Sequence, residues 1–96
     1  MDIQLDFENE HLINGVSVSP NPFSTQTNFT IDLKESGNII IEIFDVSGKE
    51  IFTQTQTFPK GQNKITIQQS DLSISGLYFY KIQTEMEIFS GKIILK

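Results

Sequence analysis

Apolar residues recur at every second position in one stretch of this chain after another, and that rhythm is the signature of strands with a single buried face. Val16 and Val18 share a side. Phe29, Ile31 and Leu33 alternate with Asn28, Thr30 and Asp32. Ile39, Ile41 and Ile43 oppose Glu42, and Ile65 and Ile67 repeat the pattern. Tyr78, Tyr80 and Ile82 fall on one face, with Leu77, Phe79 and Lys81 on the other. Phe89, Ile93 and Leu95 close the series, with Lys92 and Lys96 turned outward. No segment carries a sustained helical period.

Turn residues separate these runs. Glu35-Ser36-Gly37-Asn38 ends one strand. Asp45-Val46-Ser47-Gly48 suits a type I turn followed by a glycine bulge. Phe58-Pro59-Lys60-Gly61 has Pro second and Gly fourth, again a type I pattern. Short strands at spacings of about ten residues predict an all-β fold. The expected architecture is an Ig-like, Greek-key antiparallel β-sandwich of about seven strands. Its sheets meet face to face because each has one apolar side. The polar "TQTQT" run reads as an edge strand. "QQSDLSIS" allows one helical turn, with Leu72 and Ile74 expected to cap the core.

The chain has 96 residues, one domain's worth. We place an acidic arm at residues 1–15, with Asp2, Asp6, Glu8 and Glu10, and the sandwich at 16–96. Within the arm Ile3, Leu5 and Phe7 alternate, but Asn9, Asn14 and Gly15 interrupt them. With no cysteine, disulfides and thiolate metal sites are excluded. The net charge of −5 argues against nucleic acid and anionic membranes as partners. No run reaches the roughly 20 apolar residues of a spanning helix. "MDIQLDFENEHL" lacks the cationic start and apolar middle of a signal peptide. A cytoplasmic protein, or a piece of a longer one, is expected.

Two features resist the strand pattern. In "SPNPF", Pro20 and Pro22 lack an amide donor and fix φ near −65°. Each pushes its predecessor, Ser19 or Asn21, away from helical angles. The segment is expected to be extended and unpaired, to let the chain cross between sheets, and to leave Phe23 plugging one end of the core. Tyr78 follows Gly76 shortly after Asp71-Leu72, a spacing that fits a tyrosine corner, in which the phenol bonds to upstream backbone.

Catalytic chemistry is not legible. A hydrolase or transferase needs converging groups. The one histidine, His11, falls in the arm and reads as a surface residue. Zinc sites of the usual kind are excluded, and the Asp45 loop lacks the later acidic ligands of an EF-hand. Asn28-Phe29-Thr30 is a bare glycosylation sequon. No enzyme, cofactor or metal is expected.

The order of features carries a resemblance. "VSVSPNPF" is followed by "IEIFDVSGKEI", "FPKGQNKITI", "DLSISGLYFYKI" and a terminal "GKIILK". In combination they resemble the type A C-terminal sorting domain of the Bacteroidetes type IX secretion system, over Val16 to Lys96. The resemblance implies a module at the C-terminus of a larger secreted protein, whose own N-terminus would carry the signal peptide. It implies recognition by the type IX translocon and an outer-membrane shuttle protein, and removal by a sortase-like peptidase cutting in or before the arm. It implies cargo passing through the periplasm and across the outer membrane, to be secreted or attached to surface lipopolysaccharide.

The family motif falls on Pro20, Asn21, Pro22 and Phe23, on Asp45, Gly48 and Lys49, on Gly76 and Tyr78, and on Lys92, Ile93, Ile94, Leu95 and Lys96. The terminal strand is the expected contact, read by strand addition at an open edge, with its lysines setting register. The main competing function is a carbohydrate-binding or adhesive module. It needs an aromatic platform, yet there is no Trp and both tyrosines point inward; only Phe44, Phe52 and Phe79 are candidates for exposure. A plain structural spacer is the third alternative.

Overall fold

A computed structural model describes residues 11–96; the Ile3, Leu5, Phe7 alternation and the acidic stretch around it lie outside the described residues. The described residues form seven strands: β1 (Ile13–Ser19), β2 (Gln26–Leu33), β3 (Gly37–Phe44), β4 (Glu50–Phe58), β5 (Gly61–Gln68), β6 (Gly76–Gln83) and β7 (Ile88–Leu95). A short helical turn, α1 (Gln69–Leu72), precedes β6. All the strand pairings are antiparallel. One sheet has the order β1-β2-β5 and the other β4-β3-β6-β7. The chain therefore changes sheets after β2, after β4 and after β5, which is the Greek-key wiring of an Ig-like sandwich.

Alternation sets which faces meet. Phe29, Ile31, Leu33, Ile65 and Ile67 come from the three-stranded sheet. Ile39, Ile41, Ile43, Ile82, Ile93 and Leu95 face them from the four-stranded sheet, and all are buried. Tyr80 meets Phe29 edge to face, with ring centroids 4.9 Å apart. Polar β4 is an edge strand, as the sequence predicts. On its outward face the Thr57 hydroxyl donates to the Asn38 side-chain oxygen of neighbouring β3.

Several local expectations need correction. The first strand, β1, begins at Ile13, which is wholly buried. Asn14 and Gly15 look like strand breakers, but the register shifts between Ile13 and Gly15, so Asn14 is a bulge residue. One extra residue reverses the alternation and returns Ile13 to the core side that Val16 and Val18 face. Leu72 caps the core, whereas Ile74 is exposed, since the chain turns outward at Ser73, where φ is 75°. Phe52 pairs with Ile43 on the inner face and packs against the core. Phe23 is buried as expected, but its segment is paired, and it does not carry the chain between sheets: it joins β1 to β2 within one sheet and reaches across to β7 of the other only through its bonds.

Candidate recognition surface

The strand registers gather the four motif segments at one end of the four-stranded sheet. Phe44, the last residue of β3, lies opposite Phe79, which lies opposite Lys92. The Asp45 turn, the start of β6 and the end of β7 therefore share that end. The chain enters at the other end, where Ile13 pairs with Leu33.

Residues 20–23 clasp the terminal strand. The Asn21 carboxamide donates from Nδ2 to the Lys92 carbonyl (2.9 Å) and accepts from the Ile94 amide (3.0 Å). Those two groups are what a neighbouring strand's peptide unit would use, so the side chain stands in for backbone. Two residues on, the Phe23 amide donates to the Ile94 carbonyl (2.9 Å), and the Phe23 carbonyl accepts from the Lys96 amide (2.8 Å). Phe23 and Leu95 thus form a parallel bridge. The two prolines, both preceded by cis bonds, donate no amide of their own; Pro20 accepts a 2.6 Å bond from the hydroxyl of buried Thr27. Pro22 is exposed.

The tyrosine corner is present. Tyr78 is buried, and its hydroxyl is shared between the Leu72 carbonyl (3.2 Å) and the Ile74 carbonyl. Gly76 begins β6 at φ 146°, a conformation suited to glycine, and pairs with Leu95. The Ser75 hydroxyl donates to the Lys96 carbonyl (2.9 Å), tying down the last residue. Asn21, Phe23, Gly76, Tyr78 and Lys92–Lys96 are accordingly one cluster.

Asp45, Gly48 and Lys49 lie apart from it, in the exposed β3–β4 turn. Asp45 Oδ1 accepts from the Ser47 hydroxyl (2.6 Å), the Ser47 amide (2.9 Å) and the Lys49 amide (3.0 Å). Gly48, at φ 89°, donates its amide to the Asp45 carbonyl (3.0 Å). The Ser47 hydroxyl, together with the Lys49 and Ser47 amides and the Lys49 charge, holds the Asp45 carboxyl below its ordinary pKa. Nearby Glu50 shifts the other way, raised chiefly by a hydrogen bond with the Glu42 carboxyl. These residues shape a turn; nothing in their geometry marks a ligand site.

At the entry end, one residue that the sequence does not single out does the anchoring. The Glu87 carboxylate accepts from the Leu12 amide (2.7 Å) and the Ile13 amide (3.1 Å). It also lies 3.1 Å from His11 Nδ1. His11, at 49% side-chain exposure, is thus a surface residue with a partner. Glu87 sits in the β6–β7 turn, 74 positions from Ile13, and no local pattern announces such a contact. An open cleft of about 730 Å³, lined by Leu12, Ile40, Gln83 and Met86 among others, lies beside it, away from the motif cluster.

Comparison with known protein families gives one match, over residues 17–96, described as a secretion system C-terminal sorting domain. No curated protein matches the chain.

Proposed function

This chain belongs to the family of type IX secretion system C-terminal sorting domains, and from that premise we propose that it is the non-catalytic address label of a longer polypeptide. The upstream cargo would cross the periplasm and outer membrane, to be released or held at the cell surface. The translocon and an outer-membrane shuttle protein would recognise the sandwich, and a sortase-like peptidase would cut in or before the acidic arm.

The observation carrying this reading is the match over residues 17–96, which takes in every motif segment. The polarity of the fold supports it. Motif residues collect at one end of the molecule, and the chain enters at the other, where Glu87 holds Leu12 and Ile13. A cut before Leu12 would leave the sandwich whole, and cargo at the entry end would not obstruct the motif end.

The test is a secreted fluorescent reporter carrying residues 1–96 at its C-terminus, expressed in a bacterium with a working type IX system. Reporter at the cell surface or in the medium is expected. Retention in the periplasm, at the level seen without the tag, would refute the assignment.

A further inference from the structure

We propose that the terminal strand is read through its outward side chains rather than by strand addition to its edge, and that the partner surface is an apolar ridge with carboxylates along the border that meets Lys92 and Lys96. The inference rests on the sorting assignment and concerns which atoms carry it.

Both edges of Lys92–Lys96 are occupied. On the inner side β6 pairs with Leu95, Ile94, Ile93 and Lys92. On the outer side the Lys92 carbonyl, both backbone groups of Ile94 and the Lys96 amide are bonded to Asn21 and Phe23. A visiting strand finds no free ladder there. The side chains of Ile93 and Leu95 are buried. What remains on offer is the opposite face: Lys92, Ile94 and Lys96.

That face continues across β6. Ile94 lies opposite Leu77, and Lys92 opposite Phe79. Phe79 in turn neighbours Phe44. Ile94 is 43% exposed and Phe79 is 38% exposed, so this outer face presents apolar surface to solvent. The charges are sorted. Glu42 and Glu50 lie toward β4, with Glu42 opposite Lys81, whose ammonium sits 5.5 Å over the Phe44 ring. Lys92 and Lys96 lie toward β7, and among the described residues neither makes an ion pair. In a chain of net charge −5, an apolar stripe bordered along β7 by Lys92 and Lys96 complements an apolar partner ridge that is acidic on that side.

One stretch of β7 is open to addition. Residues 88 and 90 share the outward backbone parity of Ile94 and are covered by nothing among the described residues. Ser90→Pro closes that stretch without removing a bond to β6.

The experiment measures export of the reporter fused to residues 1–96, with thermal melts of each variant domain as a folding control. Ile94→Asp, Phe79→Ser and Lys92→Glu should each melt near the parent temperature and lower export by about tenfold or more. Ser90→Pro should be exported like the parent. Parent-level export of all three face variants, or loss of export by a folded Ser90→Pro, would overturn the proposal. So would a dimer in sedimentation that Phe79→Ser dissolves, or export that fails when residues 1–10 are deleted, since each gives the face a different occupant. If the parent fusion itself stays in the periplasm, the sorting assignment fails instead.

Discussion

Single side chains here replace whole structural elements. Asn21 performs the work of a strand, and Tyr78 that of a loop tether. Asn21→Ala removes both carboxamide bonds, so the Ile94 amide should exchange faster by NMR while the core amides of β2 and β3 stay protected. Phe23→Ala strikes deeper, since truncating a buried aromatic costs about 3–5 kcal/mol. Tyr78→Phe deletes only a hydroxyl. It should cost about 1 kcal/mol, seen as a Tm lower by roughly 4–8 °C. At the β3–β4 turn the two shifted carboxyls act in opposite senses. Asp45 is lowered, so its contribution to stability is present at neutral pH and is lost as pH falls through its lowered pKa. Glu50 is raised, so what its protonated form contributes is present at low pH and is lost as pH rises through that raised value. Ser47→Ala should move Asp45 back toward an ordinary carboxylate, and Glu42→Gln should lower Glu50. Side-chain carboxyl NMR titrations read both.

Among the elements, β1 and β7 depend most on partners far away in sequence. The first strand opens with a bulge and is held at its start by Glu87. Glu87→Ala should free the Leu12 and Ile13 amides, raising their exchange rates, while Ser17 and its neighbours keep their pairing with β2. The last strand is a chain end, where fraying is the rule. β6, the clasp at residues 21–23 and the Ser75 hydroxyl together hold it to its final residue. The alternation that predicts both strands speaks of faces and is silent about edges. An open edge for β7 was therefore a fair expectation from sequence. The closed one follows from the β1–β2 connection folding back, a contact between residues more than 70 positions apart.

At the scale of the molecule, the terminal strand is both label and structure. Ile93 and Leu95 are buried in the single core, so deleting Ile93–Lys96 removes two core side chains worth about 2–5 kcal/mol each. Total stability for a domain of this kind is about 5–15 kcal/mol. The truncated chain should lose its cooperative melt by circular dichroism. Lost export after that deletion would then report unfolding as much as lost recognition, which is why substitutions on the outer face are the sharper probe. All the strand pairings except the hairpins β1–β2, β3–β4 and β6–β7 join distant segments. Folding should accordingly be slow for the chain's size, in the millisecond-to-second range by stopped flow.

The strands, their buried faces, the turn at Asp45 and the corner at Tyr78 are written into local residue order. Each follows from neighbours within about ten residues, where alternation and turn chemistry act. That Asn21 and Phe23 pair with the last strand, that Glu87 holds the first, and that a bulge brings Ile13 inside emerge only when the chain is folded. Those contacts depend on how two sheets close over one core, and the hydrogen-bonding groups involved are mostly backbone, which every residue carries and no sequence pattern distinguishes.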